Sequence, residues 1–156
     1  MAISRGARYS KKRRRAKTNA TGSRSKFKRG YYKPLNENKY QQPLDKTMNS
    51  QQYPEYRSSW ELKLMKWCDS NADVEYWTTE PFAVPYVKPT DNQIHRYFPD
   101  FLIKFKDGTK WLIEIKPQNQ WDDPINIAKW NSAKEFCLKN GLIFRVMGEK
   151  ELGIKP

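Results

Sequence analysis

The sequence predicts an α/β domain in which helices flank a mixed β-sheet, preceded by a basic, disordered tail. Helical and strand-like periodicities alternate along residues 57–147, and one central hairpin alternates apolar and polar side chains cleanly. The excess positive charge lies entirely at the N-terminal end. The chain has 156 residues, which suits one ordinary domain plus a tail.

The N-terminal tail carries all of the net charge of +13. Residues 1–34 hold 13 of the 30 basic residues and no acidic residue, so residues 35–156 hold 17 of each sign. A segment this polar and charged cannot bury enough surface to fold alone, and a polyanion suits it as a partner. We predict a nucleic-acid-binding tail at 1–34 and a polar linker at 35–55, with a solubilising or protein-docking arm as the alternative. The basic residues expected to contact DNA are Lys11, Lys12, Arg13, Arg14, Arg15 and Lys17.

Several classes of protein are excluded by what the sequence lacks. It has no run of about 18 apolar residues, and no apolar stretch follows the basic N-terminus, so neither a membrane span nor a secretory signal is predicted. His95 is the single histidine, and Cys68 and Cys137 have no zinc-ligand spacing. We therefore expect reduced, buried thiols, no zinc or histidine-pair chemistry, no membrane partner and no small-molecule cofactor.

The domain is predicted to begin at residue 56 with a helix over 57–70. Trp60, Leu64 and Trp67 repeat at i, i+4 and i+7, which predicts a core-facing stripe, and Ser58 or Ser59 is available as the N-cap. Glu61 lies beside this stripe.

Strands and a second helix follow this first helix. Strand-like patterns occupy 74–77 and 82–87, punctuated by prolines, and stronger ones occupy 97–105 and 109–115. Residues 124–139 are typical of a helix with proline in its first turn, Asn140-Gly141 ends it, and 142–147 is a last strand. The order is helix, about three strands, helix, strand.

The apolar–polar alternation in residues 97–105 and 109–115 predicts the register of the hairpin that they form. The apolar residues of both strands share one face only if Phe105 pairs with Thr109 across a three-residue loop. That loop places Gly108 where a type I turn with a G1 bulge requires a left-handed residue. The same register sets Asp100 opposite Glu114.

Two opposed carboxylates are about 4.5–5.5 Å apart at Cβ and repel each other. A structural sheet avoids this arrangement, whereas a divalent cation relieves it because it takes several oxygen ligands. The backbone carbonyl of Ile115 could be a third ligand. Lys116, two residues beyond Glu114, could hold an attacking water or offset phosphate charge. The residues therefore predict a metal site that acts on a polyanion.

Phe98-Pro99-Asp100 followed by Glu114-Ile115-Lys116 resembles the PD-(D/E)XK nuclease superfamily. More narrowly, segments 56–63, 96–101 and 111–117 resemble the head-completion nucleases of T-even-type tailed bacteriophages, and the resemblance covers about residues 50–150. The fold implied is the restriction-endonuclease-like αβββαβ core, an order that the periodicities predict separately.

The resemblance implies Asp100 and Glu114 as Mg²⁺ ligands, with Mn²⁺ as an alternative ion, and Lys116 as the catalytic lysine. Glu61 would be a further catalytic acid or metal ligand. It also implies action on packaged DNA when the head is completed and joined to the tail, beside head, portal or neck proteins, in the host cytoplasm or the virion head. Arg57 and Arg96 are expected to meet phosphates, with surface salt bridges as the alternative.

The function predicted is metal-dependent hydrolysis of DNA phosphodiester bonds. Two alternatives stay open: a junction resolvase or transposition-type endonuclease of the same fold, and a non-enzymatic DNA-binding plug at the head portal. A ribosomal or nucleoid-type binder is disfavoured, because such proteins spread their charge over the folded surface and residues 35–156 carry no net charge.

Overall fold

The computed structural model describes residues 29–43 and 53–154. Short 3₁₀ turns lie at Glu37–Lys39 and Gln118–Gln120. Among these described residues, no helix is long and apolar enough to cross a bilayer. The strands and helices are, in chain order, β1 (Gly30–Tyr31), β2 (Glu55–Tyr56), α1 (Ser59–Ser70), β3 (Val74–Thr79), β4 (Val84–Lys88), β5 (Gln93–Tyr97), β6 (Phe101–Phe105), β7 (Lys110–Ile115), α2 (Pro124–Asn140) and β8 (Ile143–Met147).

The central sheet is mixed and has four strands in the order β3-β6-β7-β8. The first three strands pair antiparallel, and β8 pairs parallel to β7 after α2 carries the chain across. Strands β4 and β5 form a separate hairpin between β3 and β6, which we call the β4–β5 arm. Apart from that insertion, the order is the predicted helix, three strands, helix and strand. The predicted α/β fold with a restriction-endonuclease-like core is confirmed.

Helix α1 begins as the sequence predicts but buries a slightly different stripe. Ser58 is the N-cap, and its Oγ accepts from the backbone N–H of Glu61 at 3.1 Å. Leu64, Met65 and Cys68 are buried, whereas Trp67 is 39% exposed and packs edge-on against Phe105. The prediction that Trp67 faces the core is therefore wrong, because α1 turns the neighbouring Met65 and Cys68 toward the core instead.

Two hydrophobic clusters form, one with α1 and one with α2. Phe101, Ile103 and Ile113 pack with the buried face of α1, and Phe105, Trp111 and Ile115 lie at the margin of that cluster. On the α2 side, a second cluster joins the β4–β5 arm to the helix through Val84, Tyr86, Tyr97, Trp130 and Ala133. Both cysteines are free and buried, as expected.

The predicted strand over 97–105 is interrupted at Phe98–Asp100, where the sequence indicated continuous structure. Strand β5 ends at Tyr97 and pairs with β4, while β6 starts at Phe101 and pairs with β3 and β7. Pro99 lies between the two and has no N–H to donate to a ladder. The chain therefore changes partner strands at the Phe-Pro-Asp motif.

Residues 29–43 pack against the domain, although the sequence placed them in the tail and linker. Strand β1 pairs with β2, and the ring of Tyr40 packs at a tilt against that of Trp77, with the ring centres 4.9 Å apart. Asp69, 1% exposed, accepts hydrogen bonds from the Tyr32 hydroxyl and from the amides of Leu35 at 2.7 Å and Asn36 at 2.9 Å. The packed part of the chain thus starts earlier than predicted, because a buried carboxylate at the end of α1 holds it.

Asp69→Asn is expected to lower the free energy of unfolding at pH 7 by about 1.5–3 kcal/mol, because an amide cannot accept all three of these donors as a carboxylate does. Burial raises the pKa of Asp69, but the bonds from Tyr32, Leu35 and Asn36 outweigh it and leave the pKa below its ordinary value of 3.8. Ionised Asp69 therefore stabilises the fold above pH 3.8, and this contribution is lost as the pH falls below that value. Denaturant unfolding at pH 7 and pH 3 measures both effects.

The exposed Asp73→Asn chain is the matched control and should unfold like the wild type at both pH values. An Asp69→Asn chain as stable as the wild type at pH 7 contradicts the assignment of Asp69 as the anchor of residues 29–43.

Candidate active site

The hairpin register that the sequence predicts is confirmed. Phe101 pairs with Ile113, and the N–H of Phe105 bonds to the carbonyl of Thr109 at 2.8 Å. Gly108 has a φ of +92° in the left-handed region, and its N–H bonds to Phe105 at 3.0 Å. The three-residue loop therefore forms, and the acidic ends of the strands come together.

Asp100 lies one residue before β6, where the ladder is irregular. Its N–H donates to the carbonyl of Ile113 at 2.9 Å rather than forming a regular bridge with Glu114. Its carbonyl accepts from the N–H of Glu80 at 2.9 Å, and its Oδ2 accepts from the N–H of Ile115 at 2.8 Å. The Asp100 carboxylate is thereby held against the Glu114–Ile115 peptide. Asp100 thus lies near Glu114, as the predicted register requires, but it lies outside the regular ladder.

Glu114 is a buried carboxylate, 3% exposed, near the end of an inner strand of the sheet. Its strand β7 is flanked on both sides, by β6 and by β8, where Glu114 pairs with Val146. Its Oε2 accepts from the hydroxyl of Tyr97 at 2.8 Å, and its Oε1 lies 3.8 Å from Nζ of Lys116. A buried charge needs such partners because it has lost its water.

Lys116 follows the end of β7, and its backbone is held on two sides. Its N–H donates to the carbonyl of Met147 at 3.0 Å, and its own carbonyl accepts from Nε1 of Trp121 at 2.8 Å. A Cβ on Gly148 would lie 3.0 Å from the Trp121 ring, so the missing side chain allows this close packing. The Lys116 side chain is 12% exposed, which leaves its ammonium group in a confined position beside Glu114.

Glu61 serves the start of α1 in this structure. Its Oε2 accepts from the N–H of Arg57 at 2.7 Å, while its own N–H bonds to Ser58. Within residues 29–43 and 53–154, no three Asp, Glu, His or Cys side chains come together as a metal site. The structure thus brings Asp100, Glu114 and Lys116 together, and it places Glu61 in the first turn of α1, where its carboxylate contacts the backbone of Arg57. A catalytic or metal-binding role for Glu61 remains a prediction. Ile115 contributes an N–H contact to Asp100, and a ligand role for its carbonyl remains a prediction.

The predicted phosphate-binding arginines differ in their surroundings. Arg57 forms an ion pair with Glu80 at 3.3 Å, which is the salt-bridge alternative. Glu80 has a φ of +46°, in a region that non-glycine residues rarely adopt, and its N–H holds Asp100. Arg96 is exposed on β5, one residue before Tyr97. The predicted DNA-binding residues of the tail, 11–15 and 17, lie outside the described residues.

Tyr97 and Trp121 are site neighbours that sequence reasoning missed. In a continuous strand, residues 97 and 100 point to opposite faces, so treating 97–105 as one strand separated Tyr97 from the acids. The break at Pro99 lets both Tyr97 and Asp100 reach the Glu114 end of β7. An X-Pro step inside a predicted strand was the signal available.

Comparisons with known proteins relate this chain to nucleases. The family model described as TnsA-like endonuclease N terminal matches residues 71–149, which include Asp100, Glu114 and Lys116. The head completion nuclease of Enterobacteria phage T4 is 29% identical over 125 residues, with 64% of this chain and 83% of that protein covered. The resemblance to phage head-completion nucleases and to PD-(D/E)XK enzymes is confirmed, and nuclease activity of this type is supported. This chain belongs to the TnsA-like endonuclease N-terminal family.

Proposed function

We propose that the protein hydrolyses DNA phosphodiester bonds with the help of a divalent cation held by Asp100 and Glu114. The observation that carries this proposal is the convergence of two carboxylates and one lysine at the β6–β7 end of the sheet. All three residues lie in the stretch that matches an endonuclease family.

The donor set fits Mg²⁺, with Mn²⁺ as an alternative. Magnesium keeps several waters and is usually bound by one or two carboxylates together with substrate phosphates. Two carboxylates therefore suffice here, with water, DNA phosphate and the Ile115 carbonyl as the remaining oxygen donors. The hydrogen bonds from Ile115 and Tyr97 hold one oxygen of each carboxylate. Glu61 would act as an orienting acid, since its carboxylate accepts from the backbone N–H of Arg57 just before α1.

A divalent cation at such a site polarises the phosphoryl group and makes a bound water a stronger nucleophile at neutral pH. The residues of the chain would position the reactants. Asp100 and Glu114 place negative charge at the strand ends, and Lys116 supplies a positive charge beside it. The Lys116 ammonium would hold a water or a phosphate oxygen in line with the leaving oxygen, and would offset the charge that develops on the phosphate.

The substrate would be packaged DNA at the end of head assembly; the T4 relative is named a head completion nuclease. The protein would then act beside head, portal or neck proteins, in the host cytoplasm during assembly or in the virion head. The basic residues 1–34 would add sequence-independent affinity for DNA.

A transposition-type endonuclease is the second candidate, and the TnsA-like family match favours it. Comparing cleavage of linear duplex DNA with cleavage of branched and transposon-end DNA separates the two. A head-completion nuclease should not require the special end, whereas a transposition-type enzyme should.

A nuclease assay on supercoiled plasmid tests the proposal against a non-enzymatic plug. The wild-type chain should nick DNA with Mg²⁺ or Mn²⁺ and stop when EDTA is added, and Glu114→Ala should be inactive. The proposal is overturned when the wild type shows no metal-dependent nicking, or when Glu114→Ala nicks as fast as the wild type.

A further inference from the structure

The hydroxyl of Tyr97 reaches from the β4–β5 arm to the carboxylate of Glu114. Tyr97 is the last residue of β5 and is 3% exposed. Its hydroxyl donates to Oε2 of Glu114 at 2.8 Å, and both side chains are buried. This contact joins the arm directly to a predicted metal ligand.

A glutamate carboxylate does not fix its own orientation. The terminal torsion of Glu joins an sp³ to an sp² carbon and has a broad, roughly two-fold energy profile. The Glu114 carboxylate can therefore turn about its own axis unless another group holds it. The Tyr97 hydroxyl occupies Oε2, while Oε1 is the oxygen on the side of Lys116, 3.8 Å from Nζ. The tyrosine thus fixes the plane of the carboxylate, so that one oxygen accepts from the hydroxyl while the other lies toward the lysine.

The position of that hydroxyl is itself fixed by packing. Tyr97 pairs with Val84 across the arm, and its ring belongs to the cluster with Trp130 and Ala133. Nζ of Lys129 on α2 lies 5.8 Å from the centre of the ring. Groups that orient a metal ligand act best when their own rotamers are locked by neighbours.

We propose that Tyr97 is a positioning residue that holds the Glu114 carboxylate in the orientation that binds the divalent cation. This inference rests on the metal-dependent function proposed above. The β4–β5 arm, inserted between β3 and β6, would then complete the site by supplying the hydroxyl of Tyr97. Tyr97 itself would contact neither DNA nor the cation.

The test uses the full chain and measures Mn²⁺ binding by electron paramagnetic resonance, which detects the free ion without any cleavage. Tyr97→Phe keeps the ring and removes one donor. Partners of this kind change metal affinity by about 10–100-fold, so the Mn²⁺ dissociation constant should rise by about that factor. The Mg²⁺ concentration for half-maximal nicking should rise in parallel, while the KM for DNA at saturating Mg²⁺ stays unchanged.

Tyr86→Phe is the matched control. Tyr86 is also a buried tyrosine of the arm, and Nζ of Lys129 lies 5.7 Å from its ring. Its variant should bind Mn²⁺ like the wild type. A Tyr86→Phe chain that loses the same affinity as Tyr97→Phe would indicate general loosening of the arm and would overturn the positioning role.

A second variant separates loss of the donor from loss of folding. With 4-aminophenylalanine in place of Tyr97, the ring and a para N–H donor remain, so Mn²⁺ affinity should return to within a few-fold of the wild type. Thermal unfolding of each chain checks the fold. If Tyr97→Phe does not fold, this variant carries the test, and an affinity about tenfold weaker than that of the wild type contradicts the proposal.

The outcomes separate this inference from the proposed function. If Glu114→Gln loses Mn²⁺ binding and Tyr97→Phe keeps it, the metal site stands and the role of Tyr97 is overturned. If Glu114→Gln and the wild type give the same Mn²⁺ titration, the metal site itself is overturned, and the role of Tyr97 with it.

Discussion

Asp100→Asn is expected to slow metal-dependent DNA cleavage by roughly 10³-fold or more. A bound divalent cation lowers the barrier by several kcal/mol, and each 1.36 kcal/mol is a factor of ten in rate. The amide oxygen of asparagine can still accept from the N–H of Ile115, which Asp100 contacts at 2.8 Å. The substitution should therefore remove charge from the site and leave the β6–β7 hairpin folded.

Single-turnover cleavage of a labelled duplex, with enzyme in excess over DNA, measures this loss without interference from product release. Asp122→Asn, at an exposed position before α2, is the control and should cleave at the wild-type rate. A rate within tenfold of the wild type for Asp100→Asn would contradict its role as a ligand. It would favour the alternative in which the acids of the hairpin serve only structure.

Replacing the six basic residues of the tail cluster by glutamine is expected to weaken DNA binding on the order of 10³-fold at 0.1 M salt. The slope of log affinity against log salt is about −0.9 per phosphate contact, so the loss of six contacts should make the slope less negative by about 5. Residues 35–156 carry 17 charges of each sign and cannot replace this attraction through net charge. The substituted residues are Lys11, Lys12, Arg13, Arg14, Arg15 and Lys17.

Fluorescence anisotropy across a range of salt concentrations measures both quantities. A chain in which the order of residues 1–28 is shuffled keeps every charge and should bind like the wild type, because this attraction does not depend on sequence. The single-turnover rate at saturating DNA should be the same in all three chains. An unchanged salt slope in the glutamine variant would mean that the tail contacts something other than phosphate.

The β6–β7 hairpin shows how much of the candidate site was predictable from local chemistry. The alternation of apolar and polar side chains and the need for glycine in the turn are properties of residues close in sequence. The pairing of Phe101 with Ile113 was therefore predictable. The helix ends were predictable for the same reason. Ser58 caps α1, Pro124 opens α2, and Gly141 ends it with a φ of +68°.

Contacts between residues distant in sequence required the tertiary structure. The burial of Asp69 against residues 32–36 spans more than 30 positions, and nothing in either segment alone indicates the other. The partial exposure of Trp67 likewise depends on how α1 lies on the sheet.

The sequence by itself determined the fold class, the register of the central hairpin and the grouping of Asp100, Glu114 and Lys116 at one end of it. These follow from periodicity and turn geometry, which act over a few residues. The tertiary structure decided that the strand is interrupted at Pro99, that the Glu61 carboxylate contacts the backbone of Arg57, and that Tyr97 reaches Glu114. Those contacts depend on which strands become neighbours, and strand neighbours are chosen by packing of the whole domain rather than by any short segment.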